Sequence, residues 1–476
     1  MRFVLRSIIL CAMAVGALSL LIWGPRPQEK LPPDRQHDVV IQYWEKWVGD
    51  EAHDMQMIVD DFNRTVGRQK HIYVQYLSIS NIDQKTIVAT AGGVPPDVAG
   101  LWDGTFVQFT ALDALQPLDD LAAAHGITDG YYKPIYWKAC HYHGHLYSLI
   151  STPASVALIY NKRIFHESAQ QLRDAGLDPD RPPRTIHEFD QYAQALDTFS
   201  VGPDGKKHLE RAGYIPMEPA SNWYVNDLPF WFGGDVWDPV ERRFTLTDPR
   251  VVQTYDWVQS YSRRLGQDAV GEFSGAQGGF NTPQNAFMMG TVAMEMQGPW
   301  MALYIHLQKP SMDGDWAAAA FPSAVPGMEN VTYCPWDGLM IPRGSKHRVE
   351  AFEFIAYVNR QDVMERLCSM HCKNSPLARV SQDFLKHHPN PYIRVFEELA
   401  NSPNAHSTMQ CPIAPEAGAD ILAMIQGLVA LERDPASGKV ITPLQALQRN
   451  QARLTATWQN YLKQEQRRAA HEHSEP

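Results

Sequence analysis

The chain is 476 residues long, 44% hydrophobic, 20% charged and 11% aromatic, which excludes a disordered, collagenous or small disulfide-stapled protein and requires a large buried core. At roughly 150 residues per domain it divides into two or three units. Forty-two Lys and Arg against 53 Asp and Glu give a net charge of -11, the wrong sign for a surface that follows phosphate backbones, so nucleic acid is not expected as a partner.

At the amino end, Arg2 and Arg6 precede an uncharged apolar run from Ser7 to Trp23. That polarity order marks export, through either a secretory signal or an uncleaved anchor at the lower edge of the spanning range of about 17–25 residues. Neither Ile22-Trp23-Gly24-Pro25-Arg26 nor the deeply placed Ala12-Met13-Ala14 makes a comfortable cleavage site. Cys11, flanked by apolar residues on both sides, reads as filler rather than a lipid attachment point. Both routes deliver the chain to the periplasm or the outer face of the inner membrane. Residues 25–37, with Pro25, Pro27, Pro32 and Pro33 among charges, read as a stiff solvated spacer.

Val39 to Trp44 is a β-branched apolar run that predicts a strand. Met55, Ile58, Val59 and Phe62 follow at helical spacing, and Ile72 to Ile79 predicts a second strand. A helix with Ile87, Val88 and Ala91 ends at Gly92-Gly93, and Pro95-Pro96-Asp97-Val98-Ala99 begins a third strand. Strands alternating with helices imply parallel sheets, whose ligands gather beyond the carboxyl ends of the strands. Those loops hold Trp44-Glu45-Lys46-Trp47 and Trp102-Asp103-Gly104. Further helices are predicted over Glu188–Leu196, Pro249–Leu265, Val349–Ser369, Pro415–Leu431 and Pro443–Leu462, before a polar tail over residues 464–476.

Beyond Cys11, the five cysteines Cys140, Cys334, Cys368, Cys372 and Cys411 permit disulfides without requiring them. Cys368 and Cys372 share a helical stretch, where Cβ atoms lie about 5–6 Å apart, whereas a disulfide needs about 3.5–4.5 Å. The signatures of phosphate-binding loops, zinc proteases, serine hydrolases and dinucleotide folds are absent. His141-Tyr142-His143-Gly144-His145 has alternate histidines, but Gly144 predicts a turn that breaks their common face, so no metal site is assigned there.

A series of segments in fixed order resembles family 1 extracellular solute-binding proteins, the sugar receptors of ABC importers. They are Gly92-Gly93-Val94-Pro95-Pro96-Asp97-Val98 with Trp102, Leu115 to Asp120, Gly144 to Leu149 leading into Leu158 to Phe165, Pro183 to Phe189, Phe232 to Asp235, Phe287 to Met294 ending in Gly298-Pro299-Trp300, and Gly344 to His347. Ile186 departs from the tryptophan usual in that family. The resemblance implies an α/β, two-lobed clamp of the type II periplasmic-binding-protein class, each lobe a sheet flanked by helices and joined to the other by crossover hinge segments. By the family's topology, residues 38–152 with 331–375 form one lobe and residues 153–330 with 376–463 the other. It further implies a monomeric receptor that is not an enzyme, needs no cofactor or metal, and delivers its ligand to an importer permease.

A pyranose presents an apolar C–H face and a rim of hydroxyls, so its site needs aromatic platforms beside polar groups. The chain has 13 Trp, several next to a carboxylate in predicted loops. The candidate ligand-binding residues are Trp44, Glu45, Trp47, Trp102, Asp103, Trp223, Asp235, Trp300, Trp336 and Asp337. Pro299 is suited to a first helical position, placing Trp300 at a helix start. Asp235 has two readings, as a hydroxyl acceptor and as a turn-forming residue. A glycoside hydrolase would also combine Trp with paired carboxylates, and a membrane-tethered sugar sensor would use the same clamp; these stand as the alternative functions.

Overall fold

A computed structural model describes residues 31–203, 205–216 and 226–472. The export segment, Cys11, the first part of the spacer and Trp223 lie outside the described residues. Among the described residues, no helix is long and apolar enough to cross a membrane.

The end of the spacer is docked rather than solvated. Arg35 is 6% exposed, pairs with Asp38 and donates to the carbonyls of Asn63 and Ile72. Its planar fork satisfies two backbone carbonyls that the neighbouring elements leave free. The first strand then forms where β-branched residues were expected: β1 (Val39–Glu45), α1 (Gly49–Arg64), β2 (Ile72–Ser78), α2 (Ile82–Ala91), β3 (Val98–Trp102) and α3 (Asp103–Ala111) alternate along the chain. Met55, Ile58, Val59 and Phe62 are the buried stripe of α1, as their spacing requires. The third strand starts at Val98, later than Pro95, because Pro95 and Pro96 have no N–H to donate; Asp97 then joins β1 by donating its N–H to Gln42 O at 2.9 Å and accepting from Gln42 N through its carboxylate at 3.0 Å.

Next come α4 (Pro134–Ala139), a hairpin of β4 (His141–Tyr142) and β5 (His145–Leu146), β6 (Ser148–Pro153) and β7 (Ala157–Asn161). His143 and Gly144 take positive φ in the hairpin turn, so the three histidines do not share a face. Then follow α5 (Ile186–Leu196), α6 (Pro249–Leu265), β8 (Met294–Gln297), α7 (Met301–Gln308), β9 (Trp316–Ala319), β10 (Thr332–Tyr333) and β11 (Trp336–Met340). The chain ends with α8 (Arg348–Val358), α9 (Gln361–Met370), α10 (Gln382–His387), α11 (Ile393–Ala400), β12 (Ala405–His406), α12 (Ala414–Val429) and α13 (Pro443–Glu472).

Two of these helices differ from their predicted extents. The stretch from Val349 to Ser369 is two helices, because the Asn359 carbonyl and side chain accept from Tyr131 and Tyr132 instead of continuing one helical ladder. The last helix runs through the predicted polar tail to Glu472; Lys, Gln, Glu, Arg and Ala are all good helix formers and need no apolar face to extend it.

The sheets show a two-lobed clamp. One sheet has the order β2-β1-β3-β11-β6, with β1 parallel to β2 and β3, and β11 antiparallel to β3 and β6. The other is antiparallel, in the order β8-β7-β9. Ile41, Tyr43, Phe62, Phe106, Leu339 and Phe354 belong to the core of the first. Leu158, Tyr214, Trp231, Tyr255, Met296 and Trp458 belong to a separate core beside the second, with a further cluster around Ile159, Met301 and Phe396. The chain passes from the first sheet to the second between Pro153 and Ala157, and returns to the first between Tyr333, which packs in the second core, and Trp336. These passages run side by side: Ala154 N donates to Pro335 O at 2.8 Å and Val156 N to Tyr333 O at 2.9 Å. Farther along, Phe384 of α10 lies in the first core and Phe396 of α11 in the cluster beside the second sheet.

Candidate functional site

The register of the first sheet brings one set of strand ends together. Glu45 is opposite Gly100, Trp102 is opposite Asp337, and Asp337 is opposite Thr152. Glu45 is fully buried. It accepts from the Tyr43 hydroxyl, from Lys46 N at 2.8 Å and from Lys46 Nζ at 3.2 Å. A Cβ at position 100 would overlap that carboxylate, so the glycine is what leaves room for it. Burial raises the Glu45 carboxyl above its usual range, with Lys46 the chief opposing influence.

Asp337 is the hub of the arrangement. Its Oδ1 lies 3.1 Å from Lys46 Nζ. Its Oδ2 accepts from Trp47 Nε1 and Thr152 Oγ1, each at 3.3 Å, and lies 3.5 Å from Lys373 Nζ. Burial by itself would raise this carboxyl, but the two ammonium groups outweigh it and hold Asp337 below the ordinary aspartate range. Lys46 is raised although burial pulls it down, because Asp337 and Glu45 outweigh that desolvation. The pairing therefore keeps buried charges ionised that would be costly alone.

Three indoles surround the lysines. Lys46 Nζ is 4.5 Å from the centre of the Trp102 ring and 5.1 Å from that of Trp47. Lys373 Nζ is 5.6 Å from Trp47 and 5.9 Å from Trp300. These are cation–π distances. Trp102 is 46% exposed, Trp300 is partly exposed and Trp47 is buried under His371, whose ring is 4.8 Å away edge-on. Burial, then the neighbouring Lys373, keeps His371 neutral. Trp102 comes from the first lobe, whereas Trp300 packs with Phe280 and Tyr304 on the cluster beside the second sheet. Trp300 is the residue before α7, and Pro299 lies one place outside it, not at its first helical position. Gly298 has no side chain and the Trp300 ring lies against its backbone.

A second set of carboxyls lies toward the hinge. Asp103 opens α3 and accepts from the Tyr333 hydroxyl at 3.3 Å. Burial, with help from Asp337, pushes its pKa up to about 7. Burial followed by repulsion from Asp235 and Asp103 raises Asp227 well above the usual range, and burial pushes Asp235 up to about 6. Asp235 Oδ1 accepts from Trp237 N at 3.0 Å, so the carboxylate closes a turn in addition to any other role.

Of the residues singled out from sequence, Glu45, Trp47, Trp102, Asp337 and Trp300 are brought together around Lys46 and Lys373, with Asp103 beside them. Trp44 and Trp336 are 6% and 2% exposed and pack in the first core, Trp336 edge-on to Phe106 at 5.4 Å. Lys46, Lys373, Thr152 and His371 escaped the sequence reading; only Lys46 had a signal, its place within Trp44-Glu45-Lys46-Trp47. Among the described residues no group of His, Cys, Asp and Glu could hold a metal, and Cys140, Cys334, Cys368, Cys372 and Cys411 are buried thiols.

A family model described as bacterial extracellular solute-binding protein matches residues 57–373. A maltotriose-binding protein of Pyrococcus abyssi is 24% identical over 217 residues, 45% of this chain and 40% of that protein. The sn-glycerol-3-phosphate-binding periplasmic protein UgpB of Escherichia coli K12 is 24% identical over 240 residues, 47% of this chain and 50% of that one. The chain thus spans about half the length of the curated relatives it matches. Among solved structures, CpMnBP1 with mannotriose bound superimposes with a TM-score of 0.71 at 23% identity, over 87% of this chain and 99% of that one. The sugar-binding protein MalE of Xanthomonas citri gives 0.67 at 18% identity, over 92% and 100%.

Proposed function

This chain belongs to the bacterial extracellular solute-binding protein family, and we propose that it captures a carbohydrate between its lobes and hands the closed form to the permease of an ABC importer. The observation that carries this reading is the pair of accessible indoles, Trp102 from one lobe and Trp300 from the other, each backed by a lysine ammonium. Stacked rings suit the C–H faces of a sugar and polar neighbours suit its rim. In this reading Trp102 and Trp300 are the platforms and Trp47 steadies the lysines. Glu45 and Asp337 set the charge beneath them, and Asp103 and Asp235 accept ligand hydroxyls nearer the hinge. Trp223 stands as a further candidate platform, whereas Trp44 and Trp336 serve the first core rather than the ligand.

The relatives named for maltotriose and mannotriose support a ligand of about three hexose units. The third passage between lobes is drawn at α11 rather than at residue 376, because that helix gives Ile393 and Ala400 to the first core and Phe396 and Leu399 to the cluster beside the second sheet. The protein acts outside the cytoplasm as a monomer, held near the membrane by its amino-terminal segment if that is not cleaved, and performs no catalysis. A thermal-shift screen against neutral mono- and oligosaccharides tests the reading, since ligand at 100 times its Kd adds about 2.7 kcal/mol of stability. No shift with any sugar would overturn it, and release of shorter products would replace it with a hydrolase.

A further inference from the structure

The cleft's two lysines are fully engaged by acids. From β1, Glu45 lies 3.2 Å from Lys46 Nζ; from α1, Glu51 lies 3.6 Å from Lys373 Nζ; from β11, Asp337 contacts both. Thr152 of β6 adds an uncharged acceptor for Lys373 at 3.0 Å. Two ammonium groups thus face three carboxyl groups, and both lysine side chains are under 10% exposed. In so dry a place an added negative charge is repelled several-fold more strongly than in water.

We propose that Asp337 is a specificity determinant that sets this cleft against anionic solutes: it neutralises Lys46 and Lys373 beneath the Trp47, Trp102 and Trp300 rings, so that only uncharged hydroxyl-rich ligands are accepted. The inference rests on the reading that this cleft is the solute site, and it separates the chain's ligand from the phosphorylated solute named for one of its relatives. Asp337 acts through the lysines. Removing its charge leaves each ammonium group with one carboxylate, Glu45 for Lys46 and Glu51 for Lys373, and takes away the excess negative charge that repels an oxyanion.

The test uses the full chain with inorganic phosphate and glycerol 3-phosphate as probes, in low-salt buffer near neutral pH, by calorimetric titration. The wild type and Asp337→Glu should bind neither probe at millimolar concentration. Asp337→Asn should gain at least tenfold in affinity for them, and the gain should fade as salt is raised. The double change Asp337→Asn with Lys373→Gln restores the charge balance and should lose the gain, which a merely structural role for Asp337 would not produce. Should Asp337→Asn fail to fold by circular dichroism, the more exposed Glu51→Gln shifts charge in the same direction and should show a smaller gain. Phosphate binding by the wild type, a folded Asp337→Asn or Glu51→Gln without any gain, or a gain that survives in the double variant would each overturn the proposal. If no neutral sugar binds the wild type while Asp337→Asn still gains phosphate, the charge assignment stands and the carbohydrate reading falls.

Discussion

Tryptophans that look alike in the sequence do different work in the folded chain. Trp102→Ala and Trp300→Ala should each weaken ligand binding by about 1–3 kcal/mol, measured by titration calorimetry, with little change in Tm, because each removes a platform and leaves a surface. Trp44→Ala should instead lower folding stability by about 3–5 kcal/mol in denaturant melts, since it hollows the first core. An equal loss of stability in all three would place Trp102 and Trp300 in the core as well. Asp103 gives a residue-scale prediction with a definite sign. Its carboxyl holds a proton up to about pH 7 in the folded chain, against about pH 3.9 when unfolded. The folded state therefore binds more protons across that window, and its contribution to stability is present below about pH 4 and lost as pH rises toward 7. Asp103→Asn has no proton to lose. Its Tm should fall less between pH 5 and pH 7.5 than that of the wild type, with some slope remaining because Asp235, raised to about 6, acts in the same sense. Parallel Tm profiles for the two proteins would show that Asp103 is not held protonated.

At the scale of elements, the last helix shows how one secondary structure can be part core and part ornament. Leu447, Leu454 and Trp458 of α13 are buried in the second core, where Trp458 meets Trp237 edge-on at 5.1 Å and Tyr461 face-on at 5.2 Å. The described side chains beyond Leu462 are exposed. Ending the chain after Leu462 should leave stability within about 0.5 kcal/mol of the full chain. Ending it after Asn450 removes Leu454 and Trp458 and should cost at least about 5 kcal/mol, the summed lower bounds for two such core deletions. A large loss from the shorter truncation would mean that the polar end is packed after all. The break at Asn359 carries the converse lesson: α8 and α9 are separated by hydrogen bonds from Tyr131 and Tyr132, which the local pattern of apolar residues does not contain.

For the whole molecule, the passages at 153–157 and 333–336 run side by side in opposite directions and join the two lobes, and the Gln108 side chain of α3 reaches Glu416 of α12 at 3.2 Å across the gap. Such an exposed contact adds little by itself. Ligand that touches both Trp102 and Trp300 should therefore drive closure, lowering the radius of gyration seen by small-angle scattering; an unchanged radius with bound sugar would mean that the cleft does not close on it. The alternation of strands and helices, the buried stripe of α1 and the strand ends beside which Glu45 and Asp103 lie were legible in the sequence, because each depends on residues within one or two turns of one another. So was the family, through motifs whose order survives even where each is short. Three things were not legible: that Asp337 holds Lys46 and Lys373 together, that Trp44 is core while Trp102 is open, and that burial lifts the Asp103 carboxyl toward neutral pH. Those properties belong to distances between segments far apart in the chain and to the water excluded between them, and only the packing of the lobes sets either one.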